Sequence, residues 1–175
     1  MFNLNQSINR IFIKLSYRFG FSKLLSMPKM LALDPTNLCD LKCPLCPTGL
    51  RDKTIERGSI KLEQFKTIID RLAKHLQSIN LYSWGEPLLH KSLVDMIRHT
   101  AISHKIRTIT SVHLGNLSDE QVEGLATSRL DKLIVSVDGA TQEVYEKYRV
   151  GGNIEKVFTN MKRLIEAKKR HNSNL

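Results

Sequence analysis

The feature that most constrains this chain is its three cysteines, Cys39, Cys43 and Cys46, which fall within eight residues as C-x3-C-x2-C and are all the cysteines it has. Thiolates spaced this closely can converge on one metal centre, and soft sulfur ligands suit an iron–sulfur cluster or zinc. A 4Fe–4S cubane held by three cysteines leaves one iron without a protein ligand, an open position where a small chelating molecule can sit. A structural zinc site normally takes four Cys or His ligands, and the nearest downstream histidine is His75. Zinc therefore requires His75, His90 or His113 to fold back. A disulfide uses cysteines in pairs and needs an oxidising compartment, for which the sequence carries no secretory signal. Pro44 and Pro47 stiffen the loop, and the clustering argues against three unrelated thiols.

The remaining composition fits one globular domain. A chain of 175 residues with 41% hydrophobic and 25% charged residues can bury a core. The formal charge, 27 − 17 = +10, is unevenly spread: Arg10, Lys14, Arg18, Lys23 and Lys29 all precede the first acidic residue, Asp34. A second basic cluster runs from Lys162 to Arg170. Such a balance suits an anionic cofactor, an acidic substrate, nucleic acid or a membrane surface. Aromatic residues are few and are not interleaved with a basic stripe, so no nucleic acid is expected.

Residues 8–25 read as a basic amphipathic helix. Ile8, Ile11, Phe12, Leu15 and Phe19 share one face, with Arg10, Lys14 and Arg18 on another. Charges interrupt it too often for a membrane span. Such a helix either lies in a membrane interface or covers its own domain. The second is the expectation here, with peripheral membrane contact the less favoured alternative. The chain then divides into an N-terminal helix, 1–29, and a core domain, 30–175.

From Met30 onward a strand-then-helix cycle repeats four times. Met30–Leu33 reads as a buried strand ended by Asp34-Pro35-Thr36-Asn37, and the cysteine loop follows directly. Gly49 to Gly58 is polar and reads as a mobile flap. A helix starts near Ser59 with Leu62, Phe65, Ile68, Ile69, Leu72 and Leu76 on one face. Strand 2, Ser78–Ser83, breaks at Gly85-Glu86-Pro87, before a helix with Leu93, Ile97 and Ala101 inward. Strand 3 is Ile106–Val112. Ser118 and Gln121 form a capping box for the next helix, with Leu117 and Val122 as its hydrophobic staple. Strand 4, Lys132–Asp138, ends at Gly139. Thr141 caps a helix that pauses at Gly151-Gly152 and resumes at Asn153 with Ile154, Val157, Phe158, Met161 and Ile165 inward.

Four such units predict an α/β fold with a parallel sheet and right-handed crossovers, either a segment of a (β/α) barrel or a doubly wound sheet. In both, functional groups collect at the carboxyl ends of the strands, which is where the cysteine loop, Gly85-Glu86-Pro87 and Asp138-Gly139 fall. The two-residue period of strand 4 places Ile134, Ser136 and Asp138 on one face and Leu133, Val135 and Val137 on the other. Ser136 and Asp138 are therefore expected to look together into the concave side.

These residues together resemble the radical S-adenosylmethionine (radical SAM) superfamily: Cys39-x3-Cys43-x2-Cys46 after strand 1, Gly85-Glu86-Pro87 after strand 2, and Ser136-Val-Asp-Gly139 after strand 4. Asp138-Gly139-Ala140-Thr141, followed by Tyr145, Tyr148-Arg149 and Gly151-Gly152, is similar to the branch associated with SPASM domains, whose members modify peptides or proteins. The resemblance runs from about Met30 to Arg170. It implies a partial (β/α) barrel with four of the usual six units and a 4Fe–4S cluster on the three cysteines. S-adenosylmethionine would chelate the fourth iron and be cleaved to a 5′-deoxyadenosyl radical that modifies the substrate. It further implies that Gly85 and Glu86 hold the methionine amino group, that Ser136 contacts the ribose with Asp138 nearby, and that Arg149 pairs with the methionine carboxylate. It implies a cytoplasmic enzyme, an electron donor such as flavodoxin or ferredoxin, and a peptide or protein substrate. The alternative is a non-catalytic iron–sulfur or zinc-binding partner subunit. This chain departs from the family's pattern at Trp84, where many relatives have glycine, and at Thr110-Ser-Val-His113, where many have Thr-Asn-Gly. With two units fewer than the family's core, the chain is expected to be a fragment, a degenerate copy or a protein completed by another chain.

Overall fold

The computed structural model describes residues 4–175. Its elements run α1 (Leu4–Phe19), β1 (Met30–Ala32), α2 (Leu62–Leu72), β2 (Ser78–Asn80), α3 (Leu93–Arg98), β3 (Arg107–Val112), α4 (Asp119–Thr127), β4 (Lys132–Val135), α5 (Gln142–Tyr148) and α6 (Ile154–Arg170). The four strands make one parallel sheet in the order β1-β2-β3-β4. A doubly wound sheet reverses strand order at a switch point, and no reversal occurs here. The order is that of consecutive barrel units, so of the two expected architectures the structure has the (β/α) barrel segment.

Local chemistry explains the elements. Gly20, at φ +65°, ends α1, and the Phe21 N–H reaches back to the Ser16 carbonyl at 3.1 Å, a Schellman closure. The Ser118–Gln121 capping box forms in both directions at 3.1 Å. Thr141 and Asn153 accept from the N–H groups of Val144 and Lys156, capping α5 and α6. The core lies between the sheet and the helices that follow its strands. Phe65 and Ile69 of α2, Ile79 and Leu81 at β2, Met96 and Ile97 of α3, Leu125 of α4 and Val157 of α6 are fully buried there. Leu133, Val135 and Val137 pack against this core, as the strand period requires.

Four expectations need correction. The helix after β2 does not carry Ala101 inward as a simple continuation. Residues His99–Ser103 form a π turn, whose extra residue rotates the register so that Thr100 is the buried side chain. The Thr100 hydroxyl donates to the Ile97 carbonyl at 2.9 Å and lies 2.7 Å from the Thr108 hydroxyl. On α6, Phe158 and Ile165 are exposed while Asn160, Leu164 and Ala167 are buried. The stripe shifts because Asn160 Nδ2 donates to the Leu114 carbonyl at 2.8 Å, a backbone acceptor that an apolar side chain would strand. Residues 49–58 are no free flap: Leu50 N–H donates to the Cys46 carbonyl at 2.8 Å, Arg57 to the Thr48 carbonyl at 3.2 Å, and Gly58 and Asn37 are bonded in both directions.

The fourth correction concerns α1. It is held by polar contacts: Asn9 is buried and exchanges two 2.8 Å bonds with the Met27 backbone in the segment that follows the helix, and Gln6 donates to the Leu76 carbonyl of the core domain at 2.7 Å. Its apolar stripe faces away, with Ile8, Ile11, Phe12, Leu15 and Phe19 all exposed. The helix therefore does not cover its own domain with the face that composition favours. Among the described residues no helix is long and apolar enough to cross a membrane.

Candidate cofactor site

The three loops predicted to converge do so at the carboxyl ends of the strands, around a cavity of about 240 Å³. Cys39, Cys43 and Cys46 all line it, together with Gly85, Glu86, Ser136 and Arg149. Asp138 does not. Strand β4 stops at Val135, with only the Ser136 N–H still bonded to the neighbouring strand, at the Val112 carbonyl. Val137, between Ser136 and Asp138, packs against the core with Leu133 and Val135. Asp138 instead receives the Arg149 Nε–H in an ion pair. Ser136 keeps its place on the wall, its hydroxyl 3.3 Å from that of Ser111.

The cysteine loop is shaped by close backbone approaches. A Cβ at Gly49 would lie 2.5 Å from the Cys43 backbone nitrogen and oxygen, so only glycine lets the chain fold back over the loop. At Gly85 a Cβ would meet the Thr36 carbonyl oxygen at 1.8 Å, and the Glu86 N–H donates to the Leu38 carbonyl at 2.8 Å. The Gly-Glu-Pro turn is thus locked against the start of the cysteine loop. The loop's other side is tied to the end of α5, where the Lys42 N–H donates to the Val150 carbonyl at 3.0 Å.

Glu86 is buried, and each of its carboxylate oxygens is bonded within the protein: Oε1 accepts from the Leu88 N–H at 3.2 Å and Oε2 from the His113 N–H at 2.9 Å. The His113 ring lies beside it. Nε2 donates to Asp40 Oδ1 at 2.8 Å and sits 3.3 Å from Glu86 Oε2, while Nδ1 accepts from the Gly115 N–H at 2.9 Å. Burial pulls the imidazole pKa down, and Asp40, Cys39 and Glu86 together outweigh it and push it up. The Gly115 N–H aimed at Nδ1 works against that rise, because a protonated Nδ1 has no lone pair to accept it. Burial likewise pushes the Glu86 carboxyl up, with His113 opposing. Asp40, held low by the His113 hydrogen bond, also accepts from Asn116 Nδ2 at 2.6 Å. Sequence reading missed Asp40, Ser111 and Gly49. Their signal was positional only: Asp40 adjoins the first cysteine, and Ser111 is the next-to-last residue of β3.

Arg149 sits at the C-terminal end of α5, between Asp138 and the cysteines, with Nη1 4.0 Å from Cys43 Sγ. Burial pushes the Cys43 thiol up and the Arg149 charge opposes that rise. Of the histidines that a zinc site would need, His75 and His90 do not line the cavity. His90 Nε2 is bonded to the Ile60 carbonyl and Nδ1 to the Ser92 N–H, and both ring nitrogens of His113 are occupied. Three free thiols on one wall, no further thiol and a cation beside them fit a three-cysteine iron–sulfur cluster better than a closed zinc shell.

Comparison with known proteins identifies the family. Residues 33–175 match the Radical SAM superfamily. The chain is 26% identical over 145 residues to an AdoMet-dependent heme synthase of Methanosarcina barkeri, covering 82% of this chain and 41% of that protein. It is 31% identical over 134 residues to the PqqA peptide cyclase of Rhodopseudomonas palustris, covering 75% of this chain and 34% of the cyclase. The fold matches Streptococcus suis SuiB bound to S-adenosylmethionine with a TM-score of 0.71 at 19% identity, over 90% of this chain and 35% of SuiB. The chain thus spans between about a third and two fifths of the length of these relatives. With the matched segment covering the cysteine loop and strands β2, β3 and β4, this chain belongs to the radical SAM superfamily.

Proposed function

We propose that this chain carries the cluster-binding and SAM-binding part of a radical SAM enzyme whose substrate is a peptide or protein. The observation that carries the reading is the single cavity on which Cys39, Cys43 and Cys46 meet the Gly85-Glu86 turn, Ser136 and Arg149. When bound, a 4Fe–4S cluster and S-adenosylmethionine supply a one-electron cleavage that yields a 5′-deoxyadenosyl radical. The protein's part is to bind, orient and shield. Cys39, Cys43 and Cys46 would hold the cluster. Because the Glu86 carboxylate is committed to the N–H groups of Leu88 and His113, we assign Glu86 a positioning role, fixing the Gly85–Glu86 turn that faces the methionine amino group. Ser136, with Ser111, offers hydroxyls to the ribose. Arg149 is oriented by Asp138 and would meet the methionine carboxylate, and Asp138 acts through it.

A peptide substrate is favoured by the similarity to the PqqA peptide cyclase and by the fold shared with SuiB, which has been seen with its precursor peptide SuiA. On this reading the chain is taken as a member of the SPASM-associated branch. The reading further takes an electron donor such as flavodoxin or ferredoxin and a cytoplasmic setting that keeps the three thiols reduced. The test is anaerobic reconstitution with iron and sulfide, then dithionite and S-adenosylmethionine. Formation of 5′-deoxyadenosine that is lost in C39A, C43A and C46A is expected. A sulfide-free zinc protein, or an intact cluster that neither binds nor cleaves the cofactor, would refute it.

A further inference from the structure

The stripe on α1 has no counterpart in the cofactor site. Leu4, Ile8, Ile11, Phe12, Leu15 and Phe19 lie along one side of the helix and are all exposed, Ile11 at 57% and Phe19 at 62%. The surface continues beyond the helix end through Phe21, Leu24 and Leu25, the last 80% exposed. Isolated exposed apolar residues are ordinary, but a contiguous run of this size marks an interaction surface. The helix cannot roll to bury it, because Asn9 and Gln6, on a different side, are bonded to the Met27 backbone and the Leu76 carbonyl. Lys14 and Arg18 flank the stripe, Lys23 and Lys29 follow, and no acidic residue precedes Asp34.

We propose that α1 and the segment to Met27 dock this protein on an anionic lipid bilayer, with the apolar stripe at the acyl boundary and the flanking cations against the headgroups. Length and composition fit a helix that lies in the interface: 16 residues, apolar on one side, basic beside it and too charged to span. Charge selects the occupant. Two copies joined stripe to stripe would bring two rows of cations together with no acidic residue in the segment to neutralise them, whereas anionic headgroups supply the missing charge. Docking through α1 leaves the cofactor cavity free, because none of its lining residues belongs to the segment.

The test is co-sedimentation of the full chain with phosphatidylcholine vesicles, with and without phosphatidylglycerol, at low and high salt. Binding is expected only to the anionic vesicles and weakened by salt. The F12S/L15S variant should lose affinity by about 10-fold or more, and K14E/R18E should lose at least about five-fold per altered charge. All four side chains are exposed, and circular dichroism checks that the variants keep the fold. Should a variant misfold, the lipid and salt dependence of the unaltered chain decides. Absence of binding, equal binding to neutral vesicles, or a concentration-dependent dimer dissolved by F12S/L15S would each overturn the proposal, the last in favour of a second copy. Exclusion from vesicles when the chain is part of a longer polypeptide would equally overturn it, assigning the stripe to another segment.

Discussion

At the scale of single residues the site depends on one buried histidine. His113 joins the first cysteine loop, through Asp40, to the Gly-Glu-Pro turn, through Glu86, and both His113 and Glu86 side chains are only 4% exposed. Removing one partner of a buried polar pair costs far more than the pair contributes, because the other is left without compensation. H113Q is expected to destabilise the chain by about 2–4 kcal/mol in urea unfolding. N116A, which removes an exposed contact to the same Asp40, should cost about 0.5 kcal/mol or less. Equal effects would place the network outside the structural core of the site. The thiols should also differ in the metal-free chain. Cys43 is buried and its thiol is pushed up by that burial, whereas Cys39 and Cys46 are half-buried. Iodoacetamide followed by peptide mass analysis should label Cys39 and Cys46 before Cys43. The cysteines were legible from spacing alone, as was the position of Ser136. The partners of Glu86 were not, because a carboxylate in a Gly-Glu-Pro turn looks the same in sequence whether it meets a ligand or the N–H groups of Leu88, two residues on, and His113, after β3.

At the scale of elements, capping chemistry and glycine packing set the ends of the pieces that build the cavity. S118A removes the acceptor for the Gln121 N–H and should cost about 1 kcal/mol in thermal or urea unfolding. G85A is the stronger case: its Cβ would lie 1.8 Å from backbone, which a rotamer change cannot relieve, so the two loops must separate. A loss of about 3 kcal/mol or more is expected. G58A, whose Cβ would meet nothing within 4 Å, should change stability by less than about 1 kcal/mol. Similar behaviour of both variants in urea unfolding would contradict the interlocked loops. Helix starts were readable because Ser118, Thr141 and Asn153 act on neighbours three residues away. The π turn at His99–Ser103 and the shifted stripe of α6 were not, since each answers a distant group: the Thr108 hydroxyl and the Leu114 carbonyl. The same limit applies to α1, whose amphipathic pattern was plain while its anchoring through Asn9 was invisible.

At the scale of the molecule, four parallel strands in sequential order put every chain reversal that matters at one end of the sheet. The cysteine loop follows β1, the Gly-Glu-Pro turn follows β2, His113 follows β3 and Ser136 follows β4, so each unit contributes to a single cavity. The strand-then-helix rhythm made this architecture legible before any contact was known. What the rhythm did not disclose is how the cavity's own polar groups are divided between cofactor and scaffold: Glu86 and Asp138 are both committed within the protein, and Ser136 and Arg149 remain on the wall. The proposed function requires the three cysteines to hold a cluster with one iron open to S-adenosylmethionine. The most direct measurement is electron paramagnetic resonance of the anaerobically reconstituted, dithionite-reduced chain, recorded before and after S-adenosylmethionine is added. A 4Fe–4S signal that changes on addition, and that is absent from C39A, C43A and C46A, is predicted. A reduced cluster whose signal is indifferent to S-adenosylmethionine, or one that survives the loss of any of the three cysteines, would contradict it.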